Sequence, residues 1–199
     1  MNVNAPLAPA EIQGTVAAEV ERQLKAFRDE MEGRLAEVRE RTVDDAATII
    51  VFSGDLDKVL AGFVLATGAA AAGLETSMFF TFWGLAALKK KQAAGGQKNM
   101  LEKMFAVMTP GSSEALGTSK LNFFGMGAIM LRKMMKDKEI ASLEELMGIA
   151  RELNVKLIAC TMSMDAMGVS KDELIGDLTY GGVATYMADA MRSRVTLFI

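Results

Sequence analysis

Short, unbroken apolar runs alternate along this chain with segments of helical length. Residues 47–52, Ala-Thr-Ile-Ile-Val-Phe, form the first run. A strand with one wet face alternates polar and apolar residues, whereas a run apolar at nearly every position suits a parallel strand covered on both faces. Residues 76–82, 156–159 and 195–199 read as further strands, with Cys160 ending the third. After the first run, Ser53-Gly54-Asp55 supplies a turn and a helix cap, a helix of small and aliphatic residues runs over 56–72, and Gly73 can end it. A short helix fits 84–90. Residues 122–136 look helical, with Met126, Met130, Leu131 and Met134 toward the core. Ser142-Leu143-Glu144-Glu145 is a capping box that opens a helix to about Leu153. Thr161–Met167 and Val183–Arg192 complete the helices. This order predicts an α/β protein: a Rossmann-like (flavodoxin-like), mainly parallel sheet with helices on both faces.

The first 45 residues are of another kind. Sixteen are charged, against four in residues 46–88. Ile12, Val16, Val20, Leu24, Phe27, Met31, Leu35 and Val38 recur at a mean spacing of about 3.7 residues, one stripe on one helix face. The chain therefore divides into an N-terminal amphipathic helix, residues 1–45, and an α/β domain, residues 46–199. The stripe is expected to join copies of the chain into a homo-oligomer; packing within the chain is the plainer alternative. A second rival concerns residues 59–88, which hold one charge, Glu75. Insertion into a membrane competes there with a buried helix and strand. The split at Gly73-Leu74-Glu75 favours the buried reading, because each piece then has βαβ length.

Composition removes whole classes of chemistry. Histidine is absent, so Ser-His-Asp and Cys-His catalysis and histidine metal sites are excluded. One cysteine excludes an intramolecular disulfide and a CxxC pair. The net charge of −3 provides no field for nucleic acid. The N-terminus shows no signal-peptide pattern, and a reducing, cytoplasmic setting is expected. No cofactor and no metal is expected. The run Lys89–Lys120, with six Lys and two Glu, reads as a loop carrying a short helix around residues 100–108, its lysines solvated.

In open parallel sheets, ligands bind beyond the carboxyl ends of the strands. Cys160 falls there, followed by Thr161, Met162 and Ser163 at the start of a helix whose free N–H groups would favour a thiolate. A buried cysteine acting as a small hydrophobe is the plainer reading of the same placement. Met162, Met164 and Met167 make a soft sulfur set that could suit Cu(I), although 16 methionines spread along the chain favour core packing. Ser53, Gly54 and Asp55 should share the rim. Tyr180, Gly181 and Gly182 precede the last helix and are candidates for holding an anion.

The segment 156–177, KLIACTMSMDAMGVSKDELIGD, resembles the signature of the DsrE/DsrF-like family, in its single-chain branch often labelled peroxiredoxin-like. IIVFSGDLDKVLAGFVLATGAAAAG, TSMFFTFWGLAALKK and GGVATYMADA are similar to the same branch, so the likeness covers residues 46–199. It implies a Rossmann-like sheet that assembles into oligomers. It also implies sulfur trafficking, in which Cys160 takes sulfane sulfur from a donor and passes it to an acceptor protein. With no second cysteine, any resolving thiol must come from elsewhere. Peroxidase chemistry needs a base or arginine beside the thiol, and nothing near Cys160 in sequence supplies one. The competing expectation is a non-catalytic oligomeric binding or scaffold module with Cys160 in the core.

Overall fold

The computed structural model describes residues 9–41, 44–91, 109–120 and 122–199. The short helix expected around residues 100–108 lies outside them. The chain divides into two compact units, Met1–Val43 and Asp44–Ile199. In the first, helix α1 spans Pro9–Arg41. Its Val16, Val20, Leu24, Phe27, Met31, Leu35 and Val38 are all exposed.

The second unit runs β1 (Asp44–Val51), α2 (Leu56–Ala71), β2 (Glu75–Phe80), a 3-10 turn (Phe82–Leu88), α3 (Met126–Asp137), α4 (Leu143–Glu152), β3 (Lys156–Cys160), α5 (Thr161–Met167), β4 (Thr179–Gly181), α6 (Val183–Ala190) and β5 (Ser193–Phe198). The sheet order is β4-β3-β2-β1-β5 and every pairing is parallel. Strand alternation sorts the side chains. Ile49, Val51, Met78, Phe80, Leu157 and Ala159 join a main core with Leu56, Val59 and Phe63 of α2 and Leu143, Leu146 and Ala150 of α4. Phe79, Ile158 and Cys160 point to the opposite face, where Tyr186 of α6 packs on them. Toward the strand starts that face is polar: Ser77 Oγ donates to Thr48 Oγ1 at 3.3 Å, Thr48 meets Ser193, and Ser193 Oγ donates to the Asp189 carbonyl at 2.8 Å. Helices therefore cover both faces, as a buried parallel sheet requires.

Residues 59–88 form the centre of this core, with Val59, Phe63, Ala66, Met78, Phe80, Leu85 and Leu88 at or near zero exposure. Among the described residues no helix is long and apolar enough to cross a membrane. Three expectations change in detail. The second strand stops at Phe80, not Phe82, because the chain turns through a left-handed Phe82 (φ +47°). Gly84 then donates its N–H to the Phe52 carbonyl at 2.9 Å. Any side chain at Gly84 would begin 2.1 Å from the Val51 carbonyl oxygen. The second change is in α3, where Met126, Met130 and Met134 face outward while Ala128, Leu131 and Met135 meet the core. The third is Lys89, which is buried and donates to Thr109 Oγ1 at 3.1 Å instead of solvating a loop.

Candidate functional site

Cys160 closes β3, paired in register with Gly181 of β4, and is the N-cap of α5. Its side chain is 1% exposed. Phe79 and Ile158 flank it, and the Tyr186 ring stands 5.4 Å from that of Phe79. The thiol thus belongs to a small apolar cluster of its own, across the sheet from the main core. Beside it, Thr81 Oγ1 and Ser163 Oγ share a buried 2.7 Å hydrogen bond. That bond ties the start of α5 to the exit of β2. Thr161 is half-buried at the helix start, and Met162 is exposed.

The other expected site residues divide. Ser53 Oγ donates to Asp55 Oδ2 at 2.9 Å and accepts the Asp55 N–H at 3.1 Å. Lys58 Nζ donates to the same carboxylate oxygen at 2.8 Å, and this hydrogen bond raises the lysine above its ordinary value. Gly54 lies against the Trp83 carbonyl, 2.7 Å from where a Cβ would stand. Ser53, Gly54, Asp55, Lys58, Trp83 and Thr118 line a cleft of about 440 Å³ that does not reach Cys160. Thr118 Oγ1 is buried there without a hydrogen-bond partner among the described residues. The expected single rim is therefore two places, one at the end of β1 and one at the end of β3.

Tyr180 departs from expectation most clearly. It lies within β4, and alternation turns its ring to the main core, with Lys171 Nζ 4.6 Å from the ring centre. Its ring lies on the face of the sheet opposite the Cys160 side chain. Gly181 is the residue paired with Cys160, and Gly182 caps α6. Met164 is buried in the main core while Met162 is exposed, so the methionines after Cys160 do not converge with it as a ligand set. Among the described residues no three His, Cys, Asp or Glu side chains gather as a metal site. Sequence reasoning missed Phe79, Thr81 and Tyr186, all positioned by pairing across the sheet or by the α6 packing.

The sequence profile of the DsrE/DsrF/DrsH-like family matches residues 43–198. The chain belongs to this family. The sulfur carrier protein DsrE2 of Allochromatium vinosum is 37% identical over 160 residues, covering 76% of this chain and 96% of that protein. An uncharacterized protein, YrkE of Bacillus subtilis, is 47% identical over 152 residues, covering 76% of this chain and 95% of its own length. The crystal structure of YchN from Escherichia coli is similar with a TM-score of 0.45 at 12% identity, covering 77% of this chain and 98% of that one.

Proposed function

We propose that this DsrE-like protein is a sulfur carrier that holds sulfane sulfur on Cys160 and hands it to a partner protein. The observation that carries the reading is the position of the chain's one thiol: the last residue of a central-sheet strand, at its carboxyl end, in a chain similar to a named sulfur carrier. The Cys160 thiolate attacks the outer sulfur of a donor persulfide. The donor's S–S bond breaks and its thiolate leaves. An acceptor thiolate then takes the outer sulfur of the Cys160 persulfide, and Cys160 returns as a thiolate. No metal or cofactor enters these steps. A homo-oligomer held by the α1 stripe, and a reducing cytoplasmic setting that keeps Cys160 free, belong to the same proposal.

The burial of Cys160 favours a second reading, a scaffold or binding module with the cysteine as a core residue. Discharge distinguishes the two. Protein exposed to a persulfide donor and desalted should release sulfur to a small thiol acceptor, one equivalent per chain, and Cys160→Ser should release none. Equal release from both proteins, or none from either, overturns the carrier reading.

A further inference from the structure

Charge is unevenly spread along the chain. Residues 120–139 carry five basic and two acidic side chains, a net +3 within a total of −3. The same stretch holds most of its bulky apolar residues out in water. Phe123 is 63% exposed and Phe124 is fully exposed, and Met126, Ile129, Met130 and Met134 are each half exposed or more. The last four lie on the side of α3 away from Ala128, Leu131 and Met135, which meet the core. Lys133, Lys136 and Asp137 stand exposed among them, with Lys138 and Glu139 at the helix end. Phe123 and Phe124 both adopt left-handed backbone, φ +36° and +56°, ahead of Gly125. Bulky side chains disfavour that conformation. Adjacent aromatic side chains held there in water gain little from their own chain.

The location says what kind of partner fits. Ala128 and Leu131 pack on the α2 face of the sheet, whereas the Cys160 side chain lies on the other face. A sulfur donor or acceptor seated on α3 would be across the sheet from the thiol. A surface that only holds the protein in place would leave the thiol-bearing face open. The basic side chains call for an anionic partner. Lysines interleaved with Phe, Met and Ile, apolar stems below and ammonium groups above, suit a lipid boundary.

We infer that the Phe123–Lys138 face docks on an anionic lipid surface. Phe123 and Phe124 enter the acyl boundary, and Lys133, Lys136 and Lys138 meet the phosphate headgroups. The inference is independent of whether Cys160 carries sulfur. The test is flotation of the full chain with phosphatidylcholine vesicles, with or without about one-third phosphatidylglycerol. The wild type should float with the anionic vesicles, not with the neutral ones, and high salt should release it. Lys133→Gln with Lys136→Gln should weaken binding about 25-fold, roughly fivefold for each charge removed. Phe123→Ser with Phe124→Ser should weaken it at least about tenfold, each protein keeping the wild-type circular dichroism. Failure of the wild type to float overturns the inference, as does flotation that survives both double variants. A wild type that ignores lipid while the variants shift its mass in light scattering assigns the face to a second copy, which also overturns it. If a variant misfolds, the neutral-vesicle and salt arms on the wild type decide.

Discussion

Removing the Tyr186 ring should open Cys160 to solvent reagents. At 1% exposure the thiol reacts only when its cover moves. The cover is the Tyr186 ring, half-buried against Phe79 and the thiol and carried on α6. None of the residues of that helix is fully buried. The half-buried ring contributes about 1 kcal/mol by area, and its pairing with Phe79 adds another ~1 kcal/mol. Losing about 2 kcal/mol of closed-state stabilisation raises the opening equilibrium about 30-fold, at 1.4 kcal/mol per factor of ten. The assay is the rate of iodoacetamide alkylation without denaturant, with Tyr186→Phe as the control that keeps the ring. Tyr186→Ala should alkylate about 30-fold faster than wild type, and Tyr186→Phe within about twofold. An unchanged rate in Tyr186→Ala would refute the reasoning. So would rates that follow global unfolding as urea is added, since opening would then not be local.

Other expectations follow from single contacts. Gly84→Ala forces a Cβ onto the Val51 carbonyl and should cost at least about 3 kcal/mol in urea unfolding. Gly68→Ala, on α2 with open space around it, should instead stabilise by about 0.5–1 kcal/mol. Ser142→Ala removes the α4 capping box and should cost about 1 kcal/mol, a drop of about 2–4 °C in Tm. The Ser142 backbone N–H, then its side chain, hold the Glu145 carboxyl below its usual value. That contribution is present above pH 4.5 and lost as pH falls, so the gap between wild type and variant should narrow in acid. Asp57 is pushed up by burial but held lower overall by bonds from Ser119, at 2.6 Å to the hydroxyl and 2.8 Å to the N–H. Its stabilising effect is therefore complete above 3.8 and fades as pH falls through its depressed value. Asp57→Asn should be less stable at neutral pH and should lack that acid step in a pH series of melting curves.

The residues most legible in the sequence were those whose neighbours along the chain decide their conformation. The run 47–52, the capping box at Ser142 and the strand–helix junction at Cys160 are fixed locally; the last two stand where their patterns put them, and the run falls in a strand that begins earlier, at Asp44, and ends at Val51. Contacts distant in sequence decided the rest. Strand β4 has three residues, two of them Tyr180 and Gly181, too short to show alternation, so the face taken by the Tyr180 ring is not legible in the sequence. Helix α3 carries two apolar stripes, and hydropathy favours the bulkier Met126–Met130–Met134 stripe. The smaller Ala128 side fits closer to the core, and the methionines are left outside. The end of β2 depends on the close approach of Gly84 to β1, which no local pattern reveals. Cys160's position at a strand exit was readable; its burial depends on Phe79 and Tyr186, which reach it only through the folded sheet.

The most direct test of Cys160 as a sulfur acceptor is the intact mass of the protein after incubation with glutathione persulfide or thiosulfate. The carrier account predicts a gain of one sulfur, reversed by dithiothreitol and absent in Cys160→Ser. A wild-type mass unchanged by every donor, or the same gain in Cys160→Ser, would contradict it.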